Sequence, residues 1–470
     1  MSPIRDPDAG CIIPERGEWP VDPQEDEEVV REDRLWVDGC FDGFHYGHAG
    51  VLLECQKVGK ELYVGLHSDE DIEYDLKKGP PLMKLEERVA AIDASRFSTK
   101  CLTHTPIVNS LRWLDHYGCG YAAHGDDNAP DGQGDDGYRF IKIAGRMKIV
   151  PRTKGISTTD IISRILTGSK KHHIHDFSAN LNATKLAEGK SSVGQSPVEM
   201  KQKISEYAAS AERAPLIEVH IFRSERQDVS GMPSHYSAGR VVNSAPAPHR
   251  TNGLSSLEGH FESMVRGIPP QPDQRVVYVD GSFDLFTPAD IGFLEAVNEI
   301  ERSRGEDRGW YTDASKAERI GRAGFDYGPV YIVAGVHDDN SISNSTGSNF
   351  PISNIFERGL CVIQCRYVHA VVLCAPRSPN QAYLTSLPFR PATAANDTWR
   401  GPDAIYRPAS SRLSPSSAID GFDRAGPSIL FEEVYKPRFE NLDTSLIVKR
   451  VLGKRPEYEA RQRKKGESLS

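Results

Sequence analysis

The sequence predicts an α/β protein made of two tandem copies of one domain, each a parallel sheet with helices on its faces, the second copy degenerate. Three observations carry this. Strand-like and helix-like segments alternate from Leu35 onward, the pattern that generates parallel sheets. At 470 residues the chain exceeds what a single core ordinarily supports. The stretch LWVDGCFDGFHYGHAGVLL from Leu35 returns from Arg275 as RVVYVDGSFDLFTPADIGFLEAV.

Taken in order, residues 1–33 read as a flexible acidic tail, because Glu25–Glu28 and Arg31–Arg34 are charged and show no hydrophobic period. The first domain, 34–168, opens with a strand at Leu35–Val37, a turn at Asp38–Gly39 and a helix starting near Tyr46. A strand at Glu61–Leu66, helices at Leu85–Arg96 and Ile107–His116 and a strand at Tyr121–Ala123 follow. A helix at Tyr138–Ala144, a strand at Met147–Val150 and a helix at Ser157–Leu166 complete it. Residues 169–272 are rich in Ser, Ala, Gly, Pro and charge, with Leu216–Phe222 alone strand-like, and read as an irregular linker.

The second domain, 273–456, repeats the first. Val37-Asp38-Gly39 matches Val279-Asp280-Gly281, Gly65 and His67 fall on Gly335 and His337, and Glu87-Arg88 falls on Glu357-Arg358. STTDIISRIL from Ser157 answers DTSLIVKRVL from Asp443. Arg302–Gly328 and Arg377–Gly426 read as surface insertions, the second Pro- and Ser-rich and poorly ordered. Residues 457–470 read as a charged tail.

A net charge of −9, from 57 basic and 66 acidic residues, argues against a nucleic-acid partner and for small molecules. The eight cysteines have neither CxxC spacing nor a zinc pattern with histidine, so reduced thiols and no protein-held metal are expected. No h-region of a signal peptide precedes Leu35 and no apolar run reaches membrane-spanning length. A soluble protein is expected, with peripheral membrane association left open.

The chemistry-bearing residues gather in the first copy. His45 and His48 flank Gly47 at a helix start, so both imidazoles project from one face beside unpaired amides and the positive end of the helix dipole. That suits a phosphate chain. Arg152-Thr153-Lys154-Gly155-Ile156-Ser157-Thr158-Thr159-Asp160 is a second such terminus, with Ser157 as N-cap and Asp160 three residues on. Lys78 adds a cation before Gly79-Pro80-Pro81, and His124-Gly125-Asp126-Asp127 follows a strand, where sheet-end ligands are met. The second copy has Thr287 for His45, Asp290 for His48, Ser348 for Lys78 and Asn441 for Gly155, and so loses the phosphate-binding side chains.

Plainer readings stand beside these. Alone, the histidine pair reads equally well as partly buried filler, Ser157–Thr159 as a simple helix cap, Lys78 as a solvated loop charge and Asp126-Asp127 as a strand terminator. His67 and His337 share a place in both copies, which points to packing. His172, His173 and His175 read as a solvated basic run rather than a metal site.

His45-Tyr46-Gly47-His48 as HxGH, followed by Arg152–Thr159 as RTxGISTT, resembles the cytidylyltransferases of phospholipid synthesis. The resemblance implies Rossmann-like nucleotidyltransferase domains, and the tandem arrangement resembles the ethanolamine branch of that family. It implies attack of phosphoethanolamine on the α-phosphate of CTP, releasing pyrophosphate, with phosphocholine or glycerol 3-phosphate as alternative acceptors. His45 and His48 would donate to the triphosphate, while Lys78 and Arg152 supply full charges. Ser157, Thr158 and Thr159 would seat the β and γ phosphates, beside Gly155 and Ile156. Gly39, Cys40, Phe41 and Gly47 would border the nucleotide, and His124, Gly125 and Asp126 would lie near the cytidine. Mg²⁺ is implied as a companion of CTP, held mainly by phosphate oxygens and water. Asp42 and Phe97 would meet the amine, Phe97 as a cation–π face. A cytoplasmic protein, at the endoplasmic reticulum surface or free of it, is implied, and a homodimer stays open. The rival of another class is a regulatory protein whose two copies bind nucleotide without turnover.

Overall fold

The computed structural model describes residues 23–76, 78–182, 195–210, 214–224, 259–347, 349–389, 401–409, 430–435 and 437–464. In the first copy the strands are β1 (Glu28–Gly39), β2 (Glu61–Leu66), β3 (Lys100–Thr103), β4 (Tyr117–Gly125) and β5 (Met147–Val150). The helices are α1 (Tyr46–Gln56), α2 (Leu85–Asp93), α3 (Leu111–His116), α4 (Arg139–Ile143) and α5 (Thr158–Thr167). All strands run parallel in the order β3-β2-β1-β4-β5.

Next come α6 (Phe177–Asn182), α7 (Pro197–Tyr207), β6 (Glu218–Ser224) and β7 (Gly259–Val265). The second copy contains β8 (Arg275–Gly281), α8 (Pro288–Asp307), α9 (Asp313–Ala323), β9 (Val330–His337), α10 (Asp339–Thr346) and α11 (Ile355–Ile363). It continues through β10 (Ala370–Ala375), α12 (Gln381–Thr385), β11 (Ala404–Pro408), β12 (Leu430–Val434), α13 (Thr444–Gly453) and α14 (Arg455–Lys464). Its sheet runs β12-β11-β8-β9-β10-β6-β7. The order β10-β9-β8-β11-β12 is that of β3-β2-β1-β4-β5, so the repeated sequence folds into a repeated parallel sheet.

Several expectations are corrected. The segment expected as a linker supplies β6 and β7, which extend the second sheet, β6 parallel to β10 and β7 antiparallel to β6. Part of the expected insertion at 377–426 is β11, the counterpart of β4, hidden in the sequence by its five residues and Pro-rich flanks. Residues 390–400 and 410–426 of that insertion lie outside the described residues. β1 begins at Glu28, inside the expected tail, because its charges are paired: Arg34 holds Glu28 at 2.5 Å and Glu61 at 2.7 Å. Residues 1–22 of that tail are outside the described set. β3 was not expected, its KCLT sequence giving no apolar alternation, and the helix expected from Ile107 starts at Leu111 behind the Ser110 N-cap. The charged tail from 457 is mostly the helix α14.

The two copies share one hydrophobic core, running from Leu35 and Val64 through Ile162 to Val279 and Val451, while smaller cores lie on the outer faces of each sheet. Their contacts are reciprocal. Arg164 of α5 grips Glu357 of α11 with both oxygens at 2.7 and 2.9 Å, and Arg450 of α13 grips Glu87 of α2 at 2.6 and 2.7 Å. Arg96 N donates to Gln364 O and Arg366 N to Ala94 O.

Candidate active site

A cleft of about 280 Å³ opens at the carboxyl end of the first sheet, the place where parallel α/β folds bind ligands. It lies between the β1 tip, the start of α1, the β4 tip, the 152–159 segment and α14. Phe41, in the β1–α1 turn, has φ of 45°, as has its counterpart Phe283 at 49°, so this strained turn belongs to the scaffold of both copies. Buried Arg88 braces it by donating to the Cys40 carbonyl at 2.9 Å.

α1 begins at Tyr46, with His45 as an N-cap whose side chain makes no capping bond. The two imidazoles stack 3.9 Å apart and 15° from parallel. Gly47 permits this: a Cβ there would lie 2.8 Å from the His45 ring. Both Nδ1 atoms are buried without a hydrogen-bond partner among the described residues. Burial, and then Lys78 and Arg152, push His48 down to about 3. Burial, and then the His48, Arg164 and Arg152 charges, hold His45 well below its usual range. The pair is therefore neutral at pH 7.

The second anion-binding segment is tied to the first through Tyr46. Its hydroxyl donates to the Lys154 carbonyl at 3.3 Å and accepts from Gln195 Nε2 at 3.0 Å, and Tyr207 of α7 donates to its carbonyl at 2.6 Å. Gly155 sits under this knot with φ of +105°, where a Cβ would come within 2.6 Å of both Gln195 and the Tyr46 hydroxyl. Ser157 caps α5 by accepting from Asp160 N at 3.1 Å and donating to its carboxylate at 2.6 Å, while the Thr158 hydroxyl donates to Asp42 O at 2.9 Å. These two hydroxyls are committed, so α5 meets an anion with its dipole and backbone.

Of the remaining expected residues, Gly39, Cys40, Phe41, Gly47, Lys78, His124, Gly125, Arg152, Ile156 and Thr159 line the cleft. Lys78 Nζ lies 3.3 Å from Cys40 Sγ. Asp127 lines the cleft in place of Asp126, with Arg152 3.8 Å away. Of the two amine-contact expectations, one fails and the other lands on a carboxylate that is already engaged. Phe97 is buried in the shared core against Tyr207, because its segment pairs with the second copy rather than turning to the cleft. Asp42 lines the cleft, where it accepts from Leu82 N at 3.0 Å and Met83 N at 2.9 Å, as Asp284 accepts from Ile352 and Ser353, so this acid holds a loop in both copies. His172 and His173, expected in solvent, are buried against the Pro351 carbonyl, whereas His67 packs as expected beside Asp38 and the Thr105 carbonyl.

Two features of the cleft were not anticipated. Asp38, at the β1 tip, is a buried carboxylate that accepts from Asn109 Nδ2 at 3.1 Å on each oxygen and from the Tyr138 hydroxyl at 2.5 Å. Arg461 reaches in from α14: its side chain is 7% exposed, it donates to the Pro80 carbonyl at 3.3 Å and it lies 3.7 Å from Asp42. Tyr458 donates to the Pro81 carbonyl and Gln462 to the Thr159 carbonyl, which docks the helix across the cleft rim. No three His, Cys, Asp or Glu side chains among the described residues gather as a metal-binding group. Nor is any described helix long and apolar enough to cross a membrane.

Residues 36–164 match the sequence model of a cytidylyltransferase-like family. An ethanolamine-phosphate cytidylyltransferase of Dictyostelium discoideum is 30% identical over 439 residues, 92% of this chain and 94% of that one. The Mus musculus protein of the same name is 29% identical over 450 residues, 94% of this chain and 90% of its own. A choline-phosphate cytidylyltransferase A of Rattus norvegicus is 35% identical over 138 residues, covering 29% of this chain and 37% of that one. The first two similarities run through both copies and the segment between them, and on that end-to-end match the chain belongs to the ethanolamine-phosphate cytidylyltransferase family.

Proposed function

We propose that the first-copy cleft transfers CMP from CTP to phosphoethanolamine, giving CDP-ethanolamine and pyrophosphate. The observation that carries this is the neutral, stacked His45–His48 pair at an uncapped helix start, facing a second helix terminus across a cleft that holds Lys78, Arg152 and Arg461. Such a cleft suits a polyphosphate between two helix ends.

A phosphate oxygen of phosphoethanolamine, already an anion, attacks the CTP α-phosphorus; the bond to the β-phosphate oxygen breaks and pyrophosphate leaves with that electron pair. No protein nucleophile is needed, so the chain's work is placement and charge stabilisation. His45 and His48 would donate ring N–H groups as charge moves toward the leaving group. Lys78, Arg152 and Arg461 would neutralise the triphosphate, Arg152 leaving Asp127 to do so. The Asp38 carboxylate, buried at the strand tip with a lone pair on Oδ2 beyond its bond from Asn109, would face the ammonium of phosphoethanolamine.

Mg²⁺ fits this cleft as a companion of the nucleotide. The Asp42 carboxylate is taken by two amides and that of Asp38 is held by Asn109 and Tyr138 for the acceptor, which leaves Asp127 as the acid able to turn toward it. When bound it would add positive charge to the triphosphate. We place the protein in the cytoplasm, with any contact to membranes peripheral. Pyrophosphate release from CTP, with phosphoethanolamine, phosphocholine and glycerol 3-phosphate side by side, tests the reading. Turnover is expected with phosphoethanolamine; a folded protein inert toward all three refutes it.

A further inference from the structure

The second copy has a cleft of its own, about 320 Å³, at the tips of β8, β9 and β11. Its helix terminus is closed. Pro288 has no N–H, Ala289 N donates to the Leu442 carbonyl, and Asp290 N donates to Thr287 Oγ1 while its carboxylate accepts from Thr287 N and Oγ1. With a carboxylate in the place of His48 and the first-turn amides spent, a triphosphate has no seat here.

The strand-tip half is built the other way. Asp280 repeats Asp38 and His337 repeats His67. Ile405 pairs with Tyr278 as Ala122 pairs with Trp36, so Arg407 stands where the first copy has His124. Arg377 joins it in the lining. Among the described residues none donates to Asp280 as Asn109 and Tyr138 donate to Asp38, and Asp280 Oδ2, His337 Nε2 and Arg407 Nε lack hydrogen-bond partners there. Their side chains are 5, 10 and 11% exposed. The nearest approaches, His337 to Asp280 at 3.8 Å and Arg407 to Asp280 at 3.9 Å, are too long for direct bonds. Buried polar atoms of this kind are ordinarily satisfied, and such gaps accept a bound group.

We propose that the second cleft binds a small zwitterion bearing an ammonium and a phosphate, the ammonium on Asp280 and the phosphate between Arg377 and Arg407, without turnover. Phosphoethanolamine has this chemistry, which makes the degenerate copy a sensor of the acceptor substrate. The assignment of the ammonium rests on the reading of Asp38 above. A water between Asp280 and its neighbours is the competing occupant.

The test is calorimetric titration of the full chain with phosphoethanolamine, with CTP titrated separately as a control. Arg377 is half-buried and its replacement spares the core, so Arg377→Ala is the first variant and Asp280→Asn the second. Each is expected to weaken one phosphoethanolamine site about tenfold or more, with CTP binding and turnover at saturating substrate unchanged. An isotherm that neither variant alters overturns the proposal and leaves water as the occupant. Asp38→Asn reports on the first cleft separately: turnover unaffected by that change defeats the Asp38 assignment, whatever the second cleft does.

Discussion

Replacing Arg461 by alanine removes a guanidinium that the sequence places past the second domain and the fold returns to the first cleft. The side chain is 7% exposed and its Nε has no hydrogen-bond partner among the described residues, so a phosphate oxygen would find a ready charged donor. One hydrogen bond to a charged group contributes about 1.5–3 kcal/mol, which lowers kcat/KM by about 10- to 150-fold. The rim should survive, because Tyr458 and Gln462 keep their bonds to Pro81 and Thr159, and Asp42 keeps its two amides. Thermal unfolding is therefore expected to shift little while pyrophosphate release slows, and Arg461→Lys should restore part of the rate. Unchanged kinetics in Arg461→Ala, with a lowered melting temperature, would refute the argument and reduce α14 to a structural strap.

Other outcomes follow from the same geometry. His48→Ala is expected to cut turnover by about 10²–10³-fold and Asp290→Ala to leave it near wild type, read by the same pyrophosphate assay; equal losses would mean that the two copies are misassigned. Arg450→Met strands the buried Glu87 carboxylate and should destabilise the fold by about 3–5 kcal/mol in denaturant unfolding, and the pseudo-symmetric Arg164→Met should do likewise through Glu357. Burial, and then the Arg96 charge, lowers His369 to about 4, so below its ordinary value the unfolded chain takes up a proton that the folded one refuses. Stability is lost as pH falls through about 6.5, by about 1.4 kcal/mol from this group between about pH 7.5 and about pH 5.5. His369→Gln should flatten the melting-temperature profile in that window.

What the sequence reveals here depends on how local the cause is. The histidine pair and the RTKGISTT run stand at two helix starts on one cleft, as their spacing predicts, because spacing along a helix start is a local cause. The repeat is legible because Asp38, Arg88 and their counterparts stand in short runs that recur in the same order, Val-Asp-Gly and Glu-Arg. The holders of Asp38 are not legible: Asn109 and Tyr138 arrive from distant loops, and nothing in either neighbourhood marks them. Phe97 misleads because its surroundings are set by Cys365 and Tyr207, far off in the chain. α14 is nearly all charge, and its docking rests on Tyr458, Arg461 and Gln462, too few residues to show a period. β11 escapes for a similar reason, since its five residues are fixed by pairing with β8 on one side and β12 on the other, neither adjacent to it in the chain.

The reciprocal grips of Arg164 on Glu357 and Arg450 on Glu87 bind two halves that share one chain. Joined covalently, the halves meet at an effective concentration set by the polypeptide between them and not by how much protein is present. Dilution cannot part them, so the catalytic half keeps its Glu87-braced helix and its borrowed Arg461 at any abundance. The second copy can then drift in its own cleft while remaining an obligatory neighbour.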